Sequence, residues 1–116
     1  MTAATPRLLL VDDESSITDG LAPFLARSGF EVRVAPDGQR AWDLIARWQP
    51  DIVVSDVMMP VMDGRELVRR LRASGDGTPT ILLTRVGESG ERSAALEEGA
   101  DDYLNKPFDP QELVRA

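Results

Sequence analysis

Ile52-Val53-Val54 is an unbroken β-branched run, and the chain leaves it through Asp56 toward Pro60. A short apolar run between turn signals reads as a strand buried on both faces, because a half-exposed strand would alternate with polar residues. Leu8-Leu9-Leu10-Val11 and Ile81-Leu82-Leu83 repeat the pattern. Amphipathic segments lie among these runs. Ile17, Leu21, Phe24 and Leu25 share one helical face, as do Ala41, Leu44, Ile45 and Trp48, and Leu67, Val68 and Leu71. Buried strands that alternate with helices pair in parallel, with right-handed crossovers and helices on both sheet faces.

Taken in order, Met1 to Pro6 reads as a loose tail and Arg7–Val11 as the first strand. Ser15 or Ser16 is expected to cap a helix reaching about Ser28, kinked at Pro23 and closed by Gly29 in the left-handed region. Glu31–Ala35 alternates, as an edge strand does. Asp37 is expected to cap the second helix, and Trp42 to stand off its apolar stripe, partly exposed. Pro50 and Asp51 lead into the central strand. Asp63-Gly64 turns into the third helix, Ser74-Gly75-Asp76-Gly77 is a loop, and Thr80–Thr84 is the fourth strand. A fourth helix is expected from Glu88 to about Glu98. Its large apolar content is essentially Leu96, so little burial holds it. Asp102–Asn105 reads as the fifth strand. Asp109 or Pro110 starts a fifth helix that stops at Ala116 after barely two turns, which suggests a helix cut short with more protein following in the natural chain.

The 116 residues make one domain, 1–116, large enough for a core of its own. No cysteine and no histidine is present, which excludes disulfides, thiolate or imidazole metal ligands, and any histidine-based acid–base or phosphohistidine role. A net charge of −7 argues against direct nucleic-acid binding, which needs a basic face. No run reaches membrane-spanning length and no signal peptide is evident, so no membrane partner is expected and the default location is the cytoplasm.

The chemistry stands at the strand ends. Asp12-Asp13 follows the first strand, Asp56 ends the central one, Thr84 the fourth, and Lys106 follows Tyr103-Leu104-Asn105. In open parallel sheets that edge is where ligands bind. Three carboxylates gathered there repel one another, and a hard divalent cation relieves this. Magnesium takes one or two carboxylates directly and keeps waters. A lysine suits a phosphoryl oxygen and a threonine hydroxyl another. The set suits phosphoryl transfer onto a carboxylate nucleophile, Asp56, giving an acyl phosphate.

Val-Asp-Asp-Glu at 11–14, Asp-Val-Met-Met-Pro at 56–60, Asp-Gly at 63–64, Leu-Thr at 83–84, Gly-Ala-Asp-Asp-Tyr at 99–103 and Lys-Pro-Phe at 106–108 occur in an order and spacing that resemble the receiver domain of bacterial two-component response regulators. An aspartate at a strand end is often only a turn residue, and a lone lysine only a solvated charge; the joint spacing is what carries specificity. The resemblance spans essentially the whole chain. It implies a flavodoxin-like, doubly wound, five-stranded parallel sheet of order 2-1-3-4-5. It further implies that Asp56 accepts the phosphoryl group and that Asp12 and Asp13, with Asp56 and the Met58 carbonyl, hold magnesium, or manganese in its place. Thr84 would be the switch hydroxyl, Tyr103 the switch aromatic and Lys106 the phosphate-binding lysine, aimed by a cis Lys106-Pro107 bond. The implied function is a signalling switch that is not an enzyme toward other substrates and catalyses only its own phosphorylation and dephosphorylation. Its implied partners are a sensor histidine kinase and an output domain or downstream protein. A homodimer would form through the fourth helix, fifth strand and fifth helix, as in the winged-helix transcription-factor subfamily that the last motifs resemble.

Two positions depart from that pattern. Arg85 stands where a small residue usually follows the threonine, and altered phosphorylation or hydrolysis kinetics are expected from it. Ala116 stands where the dimerising surface usually has an arginine. Three rival readings meet specific objections. A flavin carrier on the same fold would need a glycine- and hydroxyl-rich loop where Asp12-Asp13-Glu14 stands. An aspartyl phosphatase would need a carboxylate at Met58. A phosphorylation-independent interaction module would not need the full set of site residues.

Overall fold

A computed structural model of the chain describes residues 5–57, 62–85 and 100–106, with backbone alone at 16, 17, 84, 85 and 102–106. Five parallel strands form one sheet: β1 (Arg7–Val11), β2 (Glu31–Ala35), β3 (Ile52–Asp56), β4 (Thr80–Arg85) and β5 (Asp102–Lys106), in the order β2-β1-β3-β4-β5. Helices α1 (Ser15–Arg27), α2 (Gly38–Trp48) and α3 (Gly64–Ala73) make the crossovers. The expected doubly wound sheet, its order and its open β2 edge are all present. The fourth and fifth predicted helices and the Lys106-Pro107 bond lie outside the described residues.

Strand alternation divides the core into layers. Leu8 and Leu10 of β1, Val54 of β3, and Ile81 and Leu83 of β4 pack with Leu21 and Leu25 of α1. Leu9, Val11 and Val53 point the other way, onto Ala41, Ile45 and Trp48 of α2 and Leu67 and Leu71 of α3. Every one of these strand residues is essentially buried, which is why the strands read as continuous apolar runs. Trp42 is half-buried against the α2–α3 layer. Among the described residues no helix is long and apolar enough to cross a membrane.

The helix ends follow the side chains available to them. Asp37 and Asp63 cap α2 and α3, accepting from the N–H groups of Arg40 and Glu66, both at 2.8 Å. In α1 the expectation of a serine cap is corrected. The N-cap is Glu14, with no side-chain cap bond. The Asp12 carboxylate accepts the Glu14 N–H at 2.9 Å, and this local turn starts the helix at Ser15. The helix runs unbroken through Pro23, which is exposed. It closes as expected at Gly29, whose φ of 108° permits two reversed bonds, Gly29 N–H to Ala26 O and Phe30 N–H to Leu25 O.

One arginine binds the far end of the sheet together. Arg72, near the end of α3, donates to the carbonyls of Asp76 and Thr78, each at 2.9 Å, and to the Asp101 carboxylate at 3.0 Å. The same Asp101 oxygen accepts the Thr80 N–H at 2.8 Å. Thus the first residue of β4 and the residue before β5 are bonded to each other, and Arg72 shares the same carboxylate oxygen. Beside them Asp76 accepts from both the hydroxyl and the N–H of Thr78, and these bonds, with help from Arg72, hold its carboxyl below its ordinary pKa of 3.8. A depressed native pKa stabilises the fold above the unfolded-state value and ceases to do so as pH falls through the native one. The stability difference between wild type and Asp76→Asn is therefore expected to be full above 3.8 and to fade on further acidification. Denaturant melts on either side of that pH check it, and a difference that grows in acid would contradict it.

Candidate functional site

The site forms where strands β1, β3, β4 and β5 end. Val11 pairs with Ser55, so the residues that follow, Asp12 and Asp56, emerge level with each other. Asp12 is held by its own N–H to the carbonyl of Ala35 at 3.1 Å and by the Glu14 N–H to its carboxylate. Asp56 is the last residue of β3, and just beyond it the Val57 N–H donates to Leu83 O at 2.9 Å. The Val57 carbonyl then accepts the Gly64 N–H at 2.9 Å, which seats the first turn of α3 behind the site.

Carboxylate oxygens of Asp12, Asp13 and Asp56 all lie within 4.8 Å of one another. Asp12 is 2% exposed and Asp56 6%, while Asp13 opens to solvent. Burial strengthens the mutual repulsion of two of these charges, and the open side admits an ion with its waters. An all-oxygen, all-anionic donor set with no sulfur or nitrogen matches a hard dication and not a soft transition metal.

Backbone register completes the arrangement. Asp56 pairs with Leu83, so Thr84 follows one residue further along the neighbouring strand. Thr84 pairs with Asn105 and Arg85 with Lys106. β4 and β5 each run one residue beyond their expected ends, because that last pair extends the ladder. Asp12, Asp13, Asp56, Thr84 and Lys106 therefore share one sheet edge. Tyr103 pairs with Leu82 lower on β5. The side chains of Thr84, Arg85, Tyr103 and Lys106, and all of Met58, lie outside the described residues.

Two neighbours went without a role in the sequence reading. Ser55 is fully buried, and its hydroxyl donates to the Asp56 carbonyl at 2.9 Å. Gly64 faces the same carbonyl so closely that an added Cβ would overlap it. The signal for the first was a lone hydroxyl inside an apolar run. Gly64 read equally well as a turn residue.

A profile of the response regulator receiver domain matches residues 8–116. The chain belongs to this family. Among curated relatives of this receiver domain is Response regulator MprA of Mycolicibacterium vanbaalenii, 48% identical over 108 residues, which cover 93% of this chain and 47% of that protein. The Mycobacterium avium protein of the same name is 46% identical with the same coverage. The receiver domain thus spans about half the length of these relatives. Among solved structures, the Francisella response regulator 1452 receiver domain superposes with a TM-score of 0.90 at 35% identity, covering 95% of this chain and 91% of that one. A putative response regulator from Chloroflexus aurantiacus gives 0.90 at 38% identity, covering 97% and 93%.

Proposed function

We propose that this receiver domain is a phosphorylation-controlled switch in which Asp56 accepts a phosphoryl group from a phosphohistidine of a sensor histidine kinase. The observation that carries this reading is the gathering of three carboxylates within 4.8 Å at the sheet edge where Thr84 and Lys106 also stand. A carboxylate oxygen of Asp56 attacks phosphorus in line. The P–N bond breaks, its electron pair returns to the imidazole, and that ring takes up a proton. The product is an aspartyl phosphate. Magnesium or manganese, held by Asp12, Asp13, Asp56 and the Met58 carbonyl, would neutralise phosphoryl oxygen charge when bound. The Lys106 ammonium holds one phosphoryl oxygen and the Thr84 hydroxyl donates to another. Hydrolysis of the same bond by water resets the switch, so the only chemistry is on the domain itself.

The output is a population shift. Thr84, drawn to the phosphoryl group, pulls on the segment after β4, and Tyr103 fills the space it leaves. The face that the fourth predicted helix, β5 and the fifth predicted helix would form then changes its affinity for an output domain, a partner protein or a second copy. The greater length of the relatives and their designation as response regulators support an output domain, with cytoplasmic location.

Intact-mass spectrometry after incubation with acetyl phosphate tests this reading. A single magnesium-dependent phosphoryl adduct is expected on the wild type and none on Asp56→Ala. If neither the wild type nor Arg85→Ala takes the group, the phosphorylation-independent module becomes the better account.

A further inference from the structure

We propose that Ser55 is a positioning residue for the metal site, acting through the peptide that leaves Asp56. The inference rests on the magnesium-binding part of the function proposed above. A serine in the run Ile52-Val53-Val54-Ser55 replaces an apolar contact with a buried hydroxyl, and Ser55 is 0% exposed. A buried hydroxyl needs a partner. Its donor goes to the main-chain carbonyl of the next residue, Asp56, at 2.9 Å.

That carbonyl is confined on a second side. The space that a side chain at Gly64 would occupy is taken by the Asp56 oxygen, and a Cβ added there would also stand 3.1 Å from the Ser55 hydroxyl. The next peptide is pinned as well, through Val57 N–H to Leu83 O and Gly64 N–H to Val57 O, both at 2.9 Å. The direction of the Asp56 carbonyl is the ψ angle of Asp56. That angle sets where the Asp56 carboxylate stands relative to the outgoing peptide that Leu83 and Gly64 pin. A hydroxyl that fixes it holds the Asp56 carboxylate in a set place relative to β4 and α3, and so relative to the carboxylates of Asp12 and Asp13. Preorganisation of this kind shows in affinity for the ion before it shows in the chemistry.

Ser55→Ala removes the hydroxyl without adding bulk. Calorimetric titration with magnesium alone, without any phosphodonor, is expected to show affinity weakened on the order of fivefold, the size of one lost buried hydrogen bond. The magnesium concentration for half-maximal phosphorylation by acetyl phosphate is expected to move by the same factor, with the rate at saturating magnesium changed by less than about twofold. A Ser55 that merely supports the fold would lower the melting temperature and leave magnesium affinity within about twofold of wild type, and that result overturns the proposal. A wild type that binds magnesium but accepts no phosphoryl group would fail the function reading alone, since calorimetry still compares the two proteins. A wild type that binds no magnesium overturns both.

Discussion

Asp13→Asn is expected to weaken magnesium binding by at least tenfold while making the metal-free protein more stable. Both effects come from the same geometry. Carboxylate oxygens of Asp12, Asp13 and Asp56 lie within 4.8 Å of one another. Two unit charges at such a distance repel by about 1 kcal/mol at the dielectric of water and by several at that of a protein surface. Asparagine keeps the shape and removes the charge, so the metal-free fold is relieved of repulsion by roughly 1 kcal/mol. Beside a dication the sign reverses, and the lost attraction is larger because the ion carries twice the charge and stands closer. Asp13 is exposed, so its replacement leaves the core untouched. Thermal melts with and without magnesium check the pair of effects together. The variant should melt higher than wild type without metal and gain less from adding it. A variant that melts lower without metal would show that the cluster is already balanced by other charges.

Gly64→Ala is expected to cost about 3 kcal/mol and to impair phosphorylation with it. Gly64 is the first residue of α3, where alanine is ordinarily the better helix former by about 1 kcal/mol. Any loss must therefore come from contact. The added carbon would overlap the Asp56 carbonyl and stand 3.1 Å from both the Ser55 hydroxyl and Leu82. The overlapped atom is backbone at the end of a central strand, so relief requires moving either α3 or Asp56. Gly20 supplies the internal control. It lies inside α1 with nothing within 4 Å of an added Cβ, so Gly20→Ala should stabilise by up to about 1 kcal/mol. Chemical denaturation of the two variants separates a glycine kept for clearance from one that is not. Equal responses would contradict this account.

Much of this architecture was legible because its causes are local. Three apolar runs and three amphipathic segments place β1, β3, β4 and the helices. Asp37 and Asp63 cap α2 and α3 through bonds that span only three residues. The acidic cluster was legible because each aspartate follows a buried run that delivers it to the same edge. What escaped the reading depends on neighbours distant in sequence or on competition between close ones. Ser15 and Ser16 are good caps in isolation, yet the Asp12 carboxylate reaches the Glu14 N–H first. Gly64 looks like any turn glycine until the strand end it abuts is known. Arg72 reads as a solvated helix charge, and nothing near it in the chain announces Asp101. Ser55 was visible as an odd residue in an apolar run, but its acceptor is defined only by the strand's own geometry.

The Arg72 junction has a mechanical meaning. It fastens the starts of β4 and β5 to α3 and, through Asp101 and Thr80, to each other, at the edge remote from Asp56. A strand fastened at one end responds to a pull at the other as a lever turns about a fulcrum. Displacement then grows along its length and is greatest at Thr84 and Lys106, where phosphorylation would apply its force.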